Sequence, residues 1–266
     1  MSAGTLAVPE GFHRLVRAVD RALGIDLAPY ASAQLFRRLD SFCHRHGIAD
    51  LAGLARRLEA EPALGEAFAA FLTINVTEFF RNPQQWAALR RLLPSLPLSP
   101  GGGVRAWSAG CSIGAEPYSL AMLLREALPG RRHQVLATDI DADALAQAEA
   151  GRYTAEQVTG VPDDLKSRYL RAEDGGFTVV EALRRMVRFQ RHDLLRDPPP
   201  GRFDLVLCRN VTIYFNAAGR DRVYRCLSQS LVEGGLLFIG ATESLLSPAP
   251  YGLSPVEPGF YRKVAA

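Results

Sequence analysis

The stretch Trp107-Ser-Ala-Gly-Cys-Ser-Ile-Gly-Ala-Glu-Pro-Tyr118 limits most strongly how this chain can fold. An apolar run from Val104 to Ser108 gives way to two glycines and then to a helical pattern from Tyr118 to Leu128. Pro117 sits at the first turn of that helix, where its missing N–H costs nothing. Strand, glycine loop and helix in this order are a unit of an open α/β sheet, which binds its ligand beyond the carboxyl ends of its strands. The glycines, Gly110 and Gly114, are spaced G-x-x-x-G, unlike the G-x-G-x-x-G of a dinucleotide site.

Glu116 sharpens the reading. A helix N-terminus behind a glycine loop ordinarily seats a pyrophosphate, which a carboxylate would repel. The acid suits a cation instead, such as the ammonium or sulfonium of S-adenosylmethionine; the alternative is an acid that only complements the helix dipole. The next strand, Gln134 to Thr138, ends in Asp139, and an acid at the end of the second strand suits ribose hydroxyls. Loop, Glu116 and Asp139 together predict a nucleoside site.

Residues 12–72 repeat apolar positions at helical spacing, with Phe12, Leu15, Val16, Val19 and Leu23 on one face and Leu35, Leu39 and Phe42 on another, and glycines and prolines cut them into short helices. Arg14, Arg17 and Arg21 form a cationic ridge there, read either as a solvated face or as a docking surface for an acidic partner helix. Prolines 94, 97 and 100 with three successive glycines mark a linker. Ahead of it, Asn75-Val-Thr-Glu-Phe-Phe-Arg81 suits the start of a helix that runs through Trp86 to Leu93, a reading that leaves Arg81 unexplained.

After the second strand, residues 141–150 read as a helix and Arg152 to Arg171 as polar and mostly helical. Short β-like runs follow at Phe177 to Val180 and Met186 to Gln190, so residues 152–185 are expected to be a small, partly antiparallel insert. Asp204 to Cys208 is the cleanest strand and runs into Arg209-Asn-Val-Thr-Ile-Tyr-Phe215. A helix is expected over Ala217 to Leu231, stopped by Gly234 and Gly235, then a strand over Leu236 to Ala241 and a last, antiparallel strand over Phe260 to Val264.

Net charge is +3 with both signs spread along the chain, which disfavours a nucleic-acid partner. Cysteines 43, 111, 208 and 226 lack metal spacing and read as reduced core thiols, so no metal site is expected. The first eleven residues have neither a basic nor an apolar signal region, and no apolar run reaches a membrane span, so a soluble cytoplasmic protein is expected.

Four motifs, Asn75 to Arg81, Gly110 to Ser119, Thr138-Asp-Ile-Asp141 and Cys208 to Phe215, stand in an order and spacing that resemble the chemotaxis receptor (CheR-type) methyltransferases over nearly the whole chain. The resemblance implies an α/β fold: a Rossmann-like class I methyltransferase sheet with an N-terminal all-α domain and a small inserted β-containing subdomain. Its domains would be residues 1–74, a connecting segment and linker at 75–100, and a methyltransferase domain at 101–266 with its insert near 152–185.

The implied activity is methyl transfer from S-adenosylmethionine, leaving S-adenosylhomocysteine, to glutamate side-chain carboxylates on the cytoplasmic helical bundle of methyl-accepting chemoreceptors. A monomer with no nucleic-acid partner and no membrane insertion is implied. By position, Asn75, Thr77, Arg81, Glu116, Asp139, Asp193, Leu194, Arg209 and Asn210 match cofactor-contacting residues, and Arg81 and Tyr214 match the pair placed near the transferred methyl. Three departures stand out. Ile113 and Ala115 replace the common Thr and Glu, Asp193 replaces a common Asn, and the short loop at Glu173 to Gly176 argues against capture of a receptor C-terminal peptide by strand addition.

A glutamate carboxylate, with a reference pKa of about 4.3, is already ionised at neutral pH, so the implied reaction needs no general base. In keeping with this, none of histidines 13, 44, 46, 133 and 192 lies in the Asn75 to Arg81, glycine-loop or Tyr214 motifs. Two other readings compete. One is a methyltransferase acting on nucleic-acid bases or other amines, whose N-P-P-Y loop Asn210 to Tyr214 matches only without its prolines; the other is a cofactor-binding scaffold without catalysis, which would require a damaged site.

Overall fold

The computed structural model describes residues 8–72, 77–98 and 102–265, save the side chain of Gln34. The chain divides into two compact units, one of residues 1–74 with 212–223, the other of residues 75–211 with 224–266.

The first unit contains α1 (Phe12–Leu23), α2 (Ala33–Arg45), α3 (Leu51–Ala60) and α4 (Pro62–Leu72). Local chemistry sets their limits. Gly24 closes α1 in a left-handed conformation, while the Ser32 hydroxyl and Asp50 carboxylate accept the orphan N–H groups of Leu35 and Gly53 at the starts of α2 and α3. Leu15, Leu39, Leu54 and Phe68 are fully buried, and Phe42 meets Phe68 edge to face at 5.1 Å. The later segment joins this unit through Phe215, whose ring meets Tyr30 at 4.8 Å, and Asn216, whose N–H donates to the Pro29 carbonyl at 2.7 Å. Of the arginine ridge, Arg21 is paired with Glu59, and Arg14 and Arg17 are exposed.

The second unit runs through α5 (Pro83–Leu92), β1 (Arg105–Ala109), α6 (Ala115–Ala127), β2 (Gln134–Asp139), α7 (Ala142–Ala150), β3 (Arg152–Tyr153), α8 (Asp163–Tyr169), β4 (Leu170–Glu173), β5 (Gly176–Val179), α9 (Glu181–Arg184), β6 (Val187–Arg191) and β7 (Phe203–Cys208). Then follow α10 (Ala217–Gln229), which begins within the first unit, and β8 (Leu231–Ile239), β9 (Leu253–Glu257) and β10 (Phe260–Lys263). A seven-stranded sheet has the order β6-β2-β1-β7-β8-β10-β9. Its first five strands are parallel and β10 runs antiparallel to β8. The chain winds outward from β1 through β2 to β6, then returns to place β7 on the other side of β1. The order therefore reverses between β1 and β7, which is where an open sheet leaves a crevice.

Three expectations are corrected. The helix after the glycine loop begins at Ala115, so Pro117 is its third residue and Glu116 lies within the first turn. Arg152 to Arg171 is mostly not helical: β3, β4 and β5 form a separate three-stranded sheet, and only Asp163–Tyr169 is helix. Here Thr154 and Gln157 bond each other's backbone N–H groups and hold a turn where polar composition suggested a helix. Finally, Gly234 and Gly235 do not stop a helix. They lie inside β8, where the pairing with β7 shifts register, and Gly234 takes a φ of 74°.

Candidate active site

In the second unit, the loops after β1, β2 and β7 and the segment before α5 meet at the reversal of strand order. Gly110, at a φ of 77°, lets the first and third loops touch, since a Cβ there would lie 2.5 Å from Val211 Cγ2. Gly114, at 90°, caps α6 where a Cβ would meet the Ala148 methyl at 2.8 Å and the Tyr153 hydroxyl at 2.9 Å. That hydroxyl donates to the Ile113 carbonyl at 2.7 Å, so the residue that departs from the common Thr is held through its backbone.

Strain concentrates in the same loops. Among the described residues, the non-glycine residues at positive φ are Phe80 (52°), Asn82 (61°), Ser112 (49°) and Asn210 (60°), and all lie in these segments. For a residue as bulky as Phe80 this conformation is costly, and such costs persist where surroundings over-determine the backbone. Ser119 supplies part of that determination, for its hydroxyl accepts the Phe80 N–H at 3.0 Å and donates to the Ala115 carbonyl at 2.7 Å.

Every residue from Ala115 to Leu124 is buried, which explains how a glutamate in the first turn of α6 loses its solvent. The Ser108 hydroxyl donates to Glu116 Oε1 at 2.7 Å, and Arg209 Nη1 approaches Oε2 at 3.4 Å. Burial raises the Glu116 pKa, opposed by the Arg209 charge and the Ser108 bond. Asp139 is likewise pushed up by burial, and backbone donors oppose the shift: Ser112 N–H reaches Oδ2 at 2.7 Å and Asp141 N–H reaches Oδ1 at 3.0 Å.

Arg209 turns its side chain into the protein, leaving 2% of it exposed. Besides Glu116, its Nη2 donates to the Arg81 carbonyl at 2.6 Å, Gln85 Oε1 at 3.2 Å and Asn82 Oδ1 at 3.3 Å. The guanidinium lies 4.6 Å from the Phe238 ring centre and 5.5 Å from that of Trp86, and its buried Nε has no hydrogen-bond partner among the described residues. Burial pulls its pKa down and Glu116 works against that. Trp86 Nε1 adds a second bond to the Arg81 carbonyl at 3.0 Å, pinning the backbone that carries the half-buried Arg81 side chain.

Glu116, Asp139, Arg209, Asn210 and Arg81 thus come together in one unit. Asp193 and Leu194 lie in the turn after β6: Asp193 Oδ1 accepts the Leu195 N–H at 2.8 Å, and Leu194 is buried. The preceding residue connects this turn to the site, because the His192 N–H donates to the Asp139 carbonyl at 3.0 Å. Thr77 is half-buried, and Asn75 lies outside the described residues. Tyr214 belongs to the first unit, on the one-turn helix Thr212–Tyr214, close enough to act on the Arg38 charge.

Sequence reasoning missed Ser108, Ser119, Trp86 and Glu243. The Glu243 carboxylate is buried and accepts the N–H groups of Asn210 and Gly240, each at 2.7 Å. An acid shortly after an apolar strand, at the ligand-facing end of a parallel sheet, was a readable signal for it.

A family model for the CheR methyltransferase SAM-binding domain matches residues 75–256, and one for the CheR methyltransferase all-alpha domain matches residues 10–73. The chain is similar to the chemotaxis protein methyltransferase of Listeria monocytogenes, with 39% identity over 248 residues that cover 93% of this chain and 95% of the relative. It is 36% identical over 243 residues to that of Klebsiella aerogenes, covering 88% and 82%, and 31% identical over 264 residues to that of Borreliella burgdorferi, covering 94% and 93%.

Proposed function

The chain belongs to the CheR methyltransferase family, and from that premise we propose that it transfers a methyl group from S-adenosylmethionine to glutamate carboxylates of methyl-accepting chemoreceptors, giving glutamyl methyl esters. The observation that carries the proposal is the buried Glu116 carboxylate at the reversal of strand order, where a pyrophosphate cofactor would be repelled. Two further features fit a nucleoside with a cationic tail: Gly110 keeps the loop narrow, and backbone N–H groups hold the Asp139 carboxylate in place at the end of β2.

When bound, S-adenosylmethionine supplies an electrophilic methyl on a sulfonium. The protein's task is then placement, because the nucleophile arrives already ionised. In the proposal Glu116 attracts the methionine ammonium and Asp139 accepts from the ribose. Asn75, Thr77, Asp193, Leu194 and Asn210 line the remainder of the cofactor, and Arg209 holds the Arg81 loop with its side chain. The Arg81 fork orients the incoming carboxylate without gripping it so tightly that the nucleophile is blunted, and Tyr214 donates a further hydrogen bond near the methyl.

The receptor's helical bundle is the proposed partner, met by a cytoplasmic monomer with domains at 1–74 and 101–266, a connecting segment at 75–100 and an insert near 152–185. No helix among the described residues is long and apolar enough to cross a membrane.

Glu116→Gln should weaken S-adenosylhomocysteine about tenfold in calorimetry, the scale of one charge-assisted hydrogen bond. Unchanged affinity would return Glu116 to the role of a helix-end acid. The sign of the pH effect follows from the raised pKa values of Glu116 and Asp139. Such carboxyls take up a proton at higher pH than surface acids do, and once neutral they lose their hold on an ammonium or hydroxyl. Affinity should therefore weaken as pH falls from neutrality toward the ordinary carboxylate range, beginning above the pH at which a surface acid titrates, with proton release on binding there; an affinity that stays flat down to that range contradicts the assignment.

The arginine ridge offers a separate test. Reversing Arg14 and Arg17 to Glu should raise KM for receptor about three- to tenfold at low salt and less at high salt, leaving cofactor affinity alone. An unmoved KM at low salt puts the receptor surface elsewhere.

A further inference from the structure

We infer that Glu243 is a positioning residue for cofactor binding, its carboxylate stapling the ends of β7 and β8 so that the Arg209–Asn210 turn keeps its shape. The inference rests on the proposed cofactor reading and adds a residue that contacts no cofactor in it.

Cys208 and Ile239, at the ends of β7 and β8, are register partners, and just beyond them the two backbones need new acceptors for their N–H groups. One carboxylate oxygen, Glu243 Oε2, takes both, from Asn210 and from Gly240. Asn210 is held there at a φ of 60°, a conformation that even asparagine adopts at some cost, so an external bond must help to fix it. The consequence reaches across the site. Arg209, one residue earlier, carries the contacts to Glu116 and to the Arg81 carbonyl, so its aim depends on the turn that Glu243 closes.

The neighbouring glycine reports on the same seat. A Cβ on Gly240 would stand 2.5 Å from Glu243 Oε2 and 3.0 Å from the Asn210 nitrogen. The glycine is not in the left-handed region, so alanine strains no dihedral and mainly displaces the carboxylate. Glutamine at 243 keeps a carbonyl oxygen able to accept from both donors, whereas alanine keeps none.

The test measures S-adenosylhomocysteine binding by calorimetry on the full chain, at a temperature where each variant is folded by circular dichroism, with steady-state kinetics alongside. Glu243→Ala and Gly240→Ala should each raise Kd at least tenfold and KM for S-adenosylmethionine in parallel, with KM for receptor changed less than twofold. Glu243→Gln should stay within threefold of the parent.

Leu58→Ala, which loosens the first unit's core, serves as the control: it should lower the melting temperature and leave Kd unchanged. Should Glu243→Ala fail to fold, Gly240→Ala and Glu243→Gln decide. Parent-like Kd in Gly240→Ala, or a tenfold loss in Glu243→Gln, overturns the positioning role. A parent protein that does not bind S-adenosylhomocysteine at all overturns the cofactor reading instead, which keeps the two failures apart.

Discussion

Arg209→Leu should destabilise the protein by about 3–5 kcal/mol in urea unfolding, the cost of leaving a buried charge without its partner. Both partners are buried: the two side chains of the Arg209–Glu116 pair are 2% and 11% exposed. Leucine fills part of the space between Trp86 and Phe238 but supplies no donor, so Glu116 loses its counter-ion while keeping the Ser108 bond, and the Arg81 carbonyl loses the Arg209 donor while keeping Trp86. If the lost counter-ion is the main cause, adding Glu116→Gln to Arg209→Leu should restore part of the stability, because the uncompensated charge is then gone. A double variant no more stable than the single one would trace the loss to packing, and a single variant within about 0.5 kcal/mol of the parent would show that the pair carries no net strength.

Arg81→Ala should do the opposite, lowering kcat about 10²-fold while changing stability by less than about 0.5 kcal/mol. The backbone at this position is held firmly. The carbonyl receives Trp86 and Arg209, and the neighbours Phe80 and Asn82 both adopt positive φ, so alanine leaves the loop's restraints in place. Only the guanidinium is lost, and with it the fork that aligns the incoming carboxylate. Arg81→Lys should recover little, since an ammonium offers a point charge where a planar pair of donors is needed. Near-parent turnover by Arg81→Ala on receptor would remove the placement role.

How much of this was readable in advance depends on the range of the forces involved. The strand at β1, the glycine loop and the acids at 116 and 139 declare themselves locally, through an apolar run, two glycines and carboxylates where a parallel sheet presents its ligand edge. Gly234 and Gly235 misled because a glycine pair ends a helix and kinks a strand with equal ease, and only pairing with β7 decides between them. The run from Arg152 to Arg171 misled because polar composition resembles a solvated helix, whereas β4 turns back on β5 in a hairpin and β3 pairs with the other edge of β5 from much earlier in the chain.

Ser108 and Trp86 were silent for a related reason. Each acts through one hydrogen bond to a residue on another element, and such pairing leaves no periodicity in the chain. Arg209 was visible as a motif residue, but its inward turn was not, since nothing local distinguishes an arginine that faces a ligand from one that braces a loop.

A methyl group moved from S-adenosylmethionine to a carboxylate gives a product whose chemical lability distinguishes it from a methylated amine or base. The protein is incubated with methyl-labelled S-adenosylmethionine and either a helical cytoplasmic receptor fragment or nucleic acid, and the label is followed through mild alkali. The account predicts label on the receptor fragment that alkali releases as methanol, since it hydrolyses a glutamyl ester. Label that survives alkali, or that appears on nucleic acid and not on receptor, would contradict it.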